Sequence, residues 1–253
     1  MSDKQEKEIK MPEEILSSTV QFQSNGNTIA AFQARPKAEG TYPAIIVIQE
    51  WWGLDDHIKD VVSRFAREGY VGFAPNLYAR LGGNVTDSAN EAGRLMSELR
   101  DDWIIKDLNE AVNYLKALNF VNKERIGAIG YCMGGTCTLL LAGHNRDLKA
   151  AAAYYGQIVY GGSTEKQPVA PVDLVPRMTC PILYIYGEED QWITMNDVNQ
   201  LKAALERHGK THEVKTYPAP HAFFNDSRES YRPDAARDAW ETTLRFFARS
   251  LKS

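Results

Sequence analysis

The sequence has few cysteines, no long apolar run and no excess of basic residues. Its 253 residues include three cysteines, an odd number without the regular spacing of a disulfide-rich domain. No window approaches the roughly 18 uninterrupted apolar residues of a membrane-spanning helix. The first ten residues are charged throughout and lack the apolar core of a signal peptide. The net charge of −4 does not favour a nucleic-acid-binding surface. We therefore expect a soluble, cytoplasmic protein that binds neither membrane nor nucleic acid.

Strand-like and helix-like segments alternate from residue 43 onward. Apolar, β-branched runs at 43–48 and 125–130 are typical of strands buried on both faces of a parallel sheet. Upstream, Asn25-Gly26 between two alternating segments predicts a hairpin. Helical spacing predicts four helices, over about 56–68, 134–142, 194–208 and 233 to the end. It also predicts one long helical stretch that ends at about residue 119. We predict a flexible polar leader at 1–16 and one α/β domain at 17–253, with a mainly parallel sheet covered by helices on both faces.

Cys132 lies between a predicted buried strand and a predicted helix, in the segment Gly130-Tyr131-Cys132-Met133-Gly134-Gly135. This pattern is the strand-to-helix elbow of α/β-hydrolases, with cysteine in the place of serine, and the glycines let the two backbones approach. The helix start would stabilise a thiolate and offer N–H groups to an oxyanion. Alone, the pattern fits a buried cysteine or a phosphate-binding turn equally well. The chain has neither the lysine of a P-loop nor a G-x-G-x-x-G motif.

The other two cysteines are not predicted to take part in chemistry. Cys137 faces another side of the same predicted helix, which disfavours a two-cysteine metal pair. Cys180 directly precedes a predicted strand and is expected to be structural. We predict no metal site.

A cysteine nucleophile needs a base, normally an imidazole held by a carboxylate. In this fold the acid and then the histidine follow the nucleophile, on loops after the last strands. Asp190 follows the strand that ends at Tyr186, and His221 follows the strand that ends at Tyr217. Both residues lie where the elbow predicts them. The rivals are His57, His144, His208 and His212 for the base, and Glu188, Glu189 and Asp197 for the acid.

The segment Gln49-Glu50-Trp51-Trp52-Gly53 directly follows another predicted strand, at the sheet edge where ligands bind. In the elbow fold a backbone N–H from this loop completes the oxyanion hole. Trp51 and Met133 are therefore the predicted donors. A carboxylate here would face a thiolate, so the residues alone favour a surface position for Glu50 beside two core tryptophans.

Together these segments resemble the dienelactone hydrolases (carboxymethylenebutenolidases), from about residue 15 to the C-terminus. The likeness rests on Gln49-Glu50 before an aromatic pair, on Pro75-Asn-Leu-Tyr-Ala-Arg80, on the Cys132 motif and on the Asp190 and His221 loops. It implies an α/β-hydrolase fold, a Cys132–His221–Asp190 triad, acyl-enzyme hydrolysis of a small ester or lactone, and no cofactor.

The resemblance also gives Glu50 a role that the residues alone do not suggest. The matching glutamate of the family holds the resting thiol and takes its proton as substrate binds. A carboxylate can do so only where burial raises its pKa towards that of a thiol. Trp51 and Trp52 could supply such surroundings.

The chain departs from the family at the two arginines that hold a substrate carboxylate. Four residues past His221 this chain has Asn225, and the expected place of the other arginine also holds none. Arg94 and Arg228 lie nearby, out of register. A neutral alkyl or aryl ester is therefore an alternative to a carboxylate-bearing lactone, as are acyl transfer and ligand binding without turnover. The residues expected to contact substrate are Trp52, Arg80, Trp192 and Phe223.

Overall fold

The computed structural model describes residues 14–83 and 85–252. Residues 1–13 of the predicted leader lie outside the described residues, and the first strand already includes Ile15 and Leu16. Within the described residues, eight strands are present: β1 Ile15–Ser24, β2 Asn27–Pro36, β3 Tyr42–Ile48, β4 Val71–Pro75, β5 Val121–Tyr131, β6 Leu148–Tyr154, β7 Ile182–Gly187 and β8 His212–Tyr217.

Six α-helices connect or follow these strands in the described part of the chain: α1 Asp56–Arg67, α2 Ala89–Glu98, α3 Asp101–Ala117, α4 Met133–His144, α5 Met195–Arg207 and α6 Pro233–Leu251. Short 3-10 helices lie at Ala79–Leu81 and Pro171–Arg177. The second of these lies in the long connection between β6 and β7.

The strands form one sheet in the order β1-β2-β4-β3-β5-β6-β7-β8. The β1–β2 and β2–β4 pairs are antiparallel, and the other pairs are parallel. The predicted hairpin joins β1 and β2, with positive φ at both Asn25 and Gly26, as a tight hairpin turn requires. The mainly parallel sheet predicted from the sequence is thus confirmed.

Helices cover both faces of the sheet, which explains why its central strands are apolar throughout. In β3, Ile45 and Val47 join the core under α1 and α6. Their neighbours Ile46 and Ile48 join the core under α2, α3, α4 and α5. All four side chains are fully buried, so each face of the strand packs against its own helical layer.

The stretch predicted as a single helix up to about residue 119 forms two helices, α2 and α3. Leu99 and Arg100 both have extended backbone and separate them. Neither glycine nor proline marks this break, and buried side chains at helical spacing continue on both sides of it. The burial of Leu99 is a tertiary effect that local sequence does not signal.

The carboxyl ends of the parallel strands meet at one edge of the sheet. Because β3, β5, β6, β7 and β8 are consecutive neighbours in space, the residues that follow them are brought together. These residues are Glu50, Cys132, Tyr155, Asp190 and His221.

Candidate active site

Cys132 lies at the tight turn between β5 and α4. Its φ of 54° and ψ of −120° are rarely adopted by residues with a side chain. A Cβ atom on Gly130 would clash with the carbonyl of Gly134, and one on Gly134 would clash with the carbonyl of Ile48. The elbow therefore needs glycine at both positions, because strand and helix backbones approach closely there.

The surroundings of the Cys132 thiol keep it protonated at rest. Burial raises the pKa of this thiol well above its usual range, and the negative charge of Glu50 raises it further. The backbone N–H groups of Met133 and Trp51 donate hydrogen bonds to the sulfur and act in the opposite direction. These are the two N–H groups expected in the oxyanion hole, and both point to the Cys132 sulfur.

His221 and Asp190 form a tight pair. Nδ1 of His221 lies 2.6 Å from Oδ2 of Asp190, whose side chain has no exposed surface. The other oxygen of Asp190 accepts hydrogen bonds from the backbone N–H groups of Trp192 and Ile193, at 2.8 and 3.0 Å. The carboxylate is thus fixed by its own loop and in turn orients the imidazole.

The second ring nitrogen of His221 is not engaged. Nε2 is buried and has no hydrogen-bond partner among the described residues. The ring lies between Tyr155, with centroids 5.0 Å apart, and Trp192, with centroids 4.6 Å apart and planes at 82°. These contacts hold the imidazole with Nε2 available to a thiol or a substrate atom.

Glu50 is buried beside Cys132, with 1% of its surface exposed. Asn225 Nδ2 donates to its carboxylate at 2.5 Å, and the Tyr155 hydroxyl donates at 3.4 Å. Desolvation is the main cause that raises the pKa of Glu50 to about 7, and the Asn225 hydrogen bond opposes it. The surface position favoured by the residues alone is therefore wrong.

Sequence reasoning does not assign a role to Tyr155 or to Asn225. Tyr155 follows β6 with a φ of 38°, and its place directly after a central strand is a signal that could have found it. Asn225 is noted in the sequence only as the replacement of an arginine. Its contact with Glu50 spans 175 positions, which no local pattern reveals.

Three of the rival acids and bases are engaged elsewhere, whereas the rival Glu189 lines the same cavity as Cys132. Nδ1 of His57 lies 3.0 Å from Asp226. Asp197 caps α5 together with Thr194, and Glu188 accepts a hydrogen bond from the Thr216 hydroxyl at 2.7 Å.

A cavity of about 1160 Å³ contains the Cys132 thiol, and both Trp52 and Trp192 line it. Arg80 and Phe223, the other residues expected to contact substrate, do not line this cavity. The Arg80 guanidinium pairs with Asp107 at 2.9 and 2.5 Å and is nearly buried. Phe223 is fully buried against Tyr155 and Tyr217. We correct both expectations, because each side chain is taken up by the protein interior.

The two out-of-register arginines differ in their placement. Arg94 forms ion pairs with Glu91 and Glu98 on the exposed side of α2. Arg228 lines the cavity, with its guanidinium carbon 3.8 Å from the centroid of the Trp52 ring. Its positive charge acts to lower the pKa of Glu50, so the site contains a cation that sequence register did not predict.

Over residues 14–83 and 85–252, no cluster of three or more histidine, cysteine or acidic side chains could bind a metal ion. Nor does any helix in these ranges have the length and apolar character to span a membrane.

Comparison with known proteins gives the family. The sequence profile of the dienelactone hydrolase family matches residues 29–251. The chain belongs to the dienelactone hydrolase family. A relative in this family, "Putative carboxymethylenebutenolidase" of Methylorubrum extorquens, is 36% identical over 236 residues, covering 92% of this chain and 81% of the relative. The family resemblance and the α/β-hydrolase fold expected from the sequence are confirmed.

Two further members of the family cover nearly all of the chain. A Bradyrhizobium protein named "Probable 2-oxo-3-(5-oxofuran-2-ylidene)propanoate lactonase" is 33% identical, over 92% of this chain and 94% of its own. A crystal structure of a "Putative Dienelactone Hydrolase" from Klebsiella pneumoniae has a TM-score of 0.87 and 36% identity, over 93% of this chain and 99% of its own.

Proposed function

We propose that the protein hydrolyses a small carboxylic ester or lactone through an acyl-enzyme on Cys132, with His221 and Asp190 completing a triad. The observation that carries this proposal is the elbow thiol in the same cavity as an imidazole that is fixed by Asp190 and whose Nε2 has no partner within residues 14–83 and 85–252. Membership of the dienelactone hydrolase family supports the reaction class.

The first half-reaction forms a thioester. Substrate binding displaces Glu50 from its resting position, and the thiol proton passes to Nε2 of His221, either directly or by way of the Glu50 carboxylate. The thiolate then attacks the substrate carbonyl carbon, and the backbone N–H groups of Trp51 and Met133 stabilise the oxyanion. Protonated His221 donates its Nε2 proton to the leaving alkoxide or enolate as the carbon–oxygen bond breaks.

The second half-reaction restores the enzyme. His221 accepts a proton from a water molecule, whose oxygen attacks the thioester carbonyl. The carbon–sulfur bond breaks, the acid is released, and the sulfur regains a proton. Asp190 stabilises the imidazolium that forms in each half-reaction and keeps Nδ1 protonated.

Trapping the acyl-enzyme tests this proposal. Incubation with an aryl ester that deacylates slowly should add one acyl mass to the peptide that contains Cys132, as measured by mass spectrometry after digestion. A Cys180→Ala variant, altered at a buried thiol outside the cavity, should give the same adduct. An adduct on another residue, together with full turnover by Cys132→Ala, would overturn the assignment.

Glu50→Gln should lower kcat/KM by about 10²-fold or more, because the amide keeps the shape of Glu50 but cannot accept a proton. Since burial raises the pKa of Glu50 to about 7, this carboxyl is mostly protonated below pH 7 and ionised above it. The wild-type kcat/KM should therefore rise with pH through an apparent pKa near 7, and this limb should weaken in the variant. A variant with wild-type rate and an unchanged pH profile would exclude Glu50 as the base.

Arg228 favours a substrate that carries a carboxylate, as the Bradyrhizobium relative's name specifies for that protein. Hydrogen bonds to charged groups contribute about 1.5–3 kcal/mol, so Arg228→Gln should raise KM roughly 10-fold or more for a carboxylate-bearing lactone. A neutral ester of similar size should lose less than about 3-fold. Arg94→Gln, altered outside the cavity, is the matched control and should change neither value. Equal losses on both substrates would show that Arg228 does not recognise a substrate carboxylate.

A further inference from the structure

The cavity extends well beyond the nucleophile. Along α4 it is lined by Cys132, Met133, Thr136, Cys137 and Leu140, which form one face of the helix over two turns. The expectation that Cys137 faces another side of this helix is therefore wrong. At a rise of about 1.5 Å per residue, Leu140 lies roughly 12 Å from Cys132 along the helix axis. The volume of about 1160 Å³ exceeds the roughly 300–1,000 Å³ of pockets that hold drug-sized ligands. A small lactone at the thiol would leave the far part of this cavity empty.

We call this far part the arm pocket. It lies where α2 ends and α3 begins, and side chains from both helices face the side of α4 that lines the cavity. Its apolar wall consists of Met96, Leu99, Ile104, Cys137 and Leu140.

One buried carboxylate interrupts this apolar wall. Asp101 lines the cavity and has 5% of its surface exposed. Among the described residues its side chain accepts a hydrogen bond only from the Tyr160 hydroxyl, at 3.2 and 3.4 Å to the two oxygens. Hydroxyl hydrogen bonds normally span about 2.5–3.0 Å, and a carboxylate offers about four acceptor positions. Asp101 is therefore poorly satisfied by the protein itself.

Neighbouring cations do not neutralise Asp101. Lys166 also lines the cavity, but its ammonium donates to the Ser97 carbonyl at 2.7 Å. Arg100 pairs with Asp102 and Glu165 outside. Burial accordingly raises the pKa of Asp101 to about 6. A buried acceptor of this kind is stabilised by a ligand group that donates a hydrogen bond.

We propose that the arm pocket is a second substrate subsite, which receives a hydrophobic acyl arm and ends at Asp101 as acceptor for a terminal hydroxyl group. The leaving oxygen must lie beside His221, which is not part of the arm pocket. The group on the other side of the carbonyl, the acyl arm, therefore points along α4. This subsite rests on the proposed acyl-enzyme function and narrows its substrates to esters or lactones with a medium-length hydroxylated acyl chain.

The first test compares two esters with chains of equal length, p-nitrophenyl 8-hydroxyoctanoate and p-nitrophenyl nonanoate. Wild type should favour the hydroxylated ester about 10-fold in kcat/KM, and Asp101→Leu should reverse this preference. The matched control is Asp102→Leu, next in sequence and half-exposed, which should keep the wild-type ratio. Preference for nonanoate in wild type, or an unchanged ratio in Asp101→Leu, would overturn the proposal.

The second test narrows the arm pocket. Leu140→Trp should lower kcat/KM for both long esters at least 10-fold relative to p-nitrophenyl acetate, whose short acyl group does not reach residue 140. Equal loss on all three esters would show that the long chain does not occupy this space. The measurement compares kcat/KM values for different esters within one variant. A smaller fraction of folded protein lowers all of these values equally and therefore does not change their ratio.

A binding measurement separates this subsite from the proposed chemistry. Calorimetric titration of Cys132→Ala should show about 10-fold tighter binding of 8-hydroxyoctanamide than of nonanamide, and Asp101→Leu in the same background should abolish the difference. If the hydroxylated amide binds more tightly but wild type hydrolyses no ester, the proposed subsite stands and the proposed acyl-enzyme is rejected. Turnover of p-nitrophenyl acetate with equal binding of both amides would reject the subsite alone.

Discussion

Cys132→Ala is expected to lower kcat/KM for any ester that the protein hydrolyses by about 10⁵-fold or more, because no acyl-enzyme can form without the thiol. Residual activity would come from binding and from the N–H groups of Trp51 and Met133 alone. The measurement is steady-state hydrolysis of p-nitrophenyl acetate and of a lactone, with enzyme concentration set by active-site titration of wild type.

Two further variants calibrate this result. Cys180→Ala removes a thiol outside the cavity and should stay within about 2-fold of wild type. Cys132→Ser should retain more activity than Cys132→Ala, since the hydroxyl keeps a nucleophile at the same elbow. A Cys132→Ala protein that hydrolyses these esters within 10-fold of wild type would refute the nucleophile.

Asp190→Asn is expected to lower kcat by about 10⁴-fold with a much smaller effect on KM. The amide of asparagine can donate to Nδ1, which leaves the proton on Nε2 and prevents this nitrogen from accepting another. The same substitution also removes the charge that stabilises the imidazolium. Single-turnover kinetics should show that acylation itself is slowed, with folding confirmed by an unfolding temperature close to that of wild type.

Glu188→Gln is the control for Asp190, because it alters a rival acid of the same loop that pairs with Thr216. It should leave kcat within about 2-fold of wild type. If Asp190→Asn retains wild-type kcat while Glu188→Gln loses it, the acid of the triad has been assigned to the wrong residue.

The placement of Cys132, Asp190 and His221 at one edge of the sheet was predictable, because local sequence determines where each of them lies. The turn at Cys132 needs glycine at 130 and 134, and this requirement is visible in the order of the residues alone. Asp190 and His221 directly follow strands, and parallel strands bring their carboxyl ends together whatever the details of packing. In the same way, the apolar run of β3 predicts its burial on both faces.

The surroundings of Cys132, Asp190 and His221 were not predictable in the same way. Asn225 contacts Glu50, and Arg228 lines the cavity, through a loop whose path depends on tertiary packing. Register with the family therefore assigned neither residue. Arg80 belongs to a segment that resembles the family, but such a resemblance does not predict the direction of a side chain. The Arg80 guanidinium pairs with Asp107 inside the protein. Neither glycine nor proline lies at the point where α2 and α3 separate beside the arm pocket, so local sequence does not predict this separation.

The raised pKa of the Cys132 thiol has a consequence for the lifetime of the enzyme. Peroxides and alkylating agents react with thiolates and only slowly with thiols. Under the proposed mechanism, a nucleophile that stays protonated until substrate arrives would be protected from oxidation and from stray electrophiles between turnovers. We therefore expect the Cys132 thiol of the resting protein to react slowly with such reagents, and its reactivity to rise when an ester occupies the cavity.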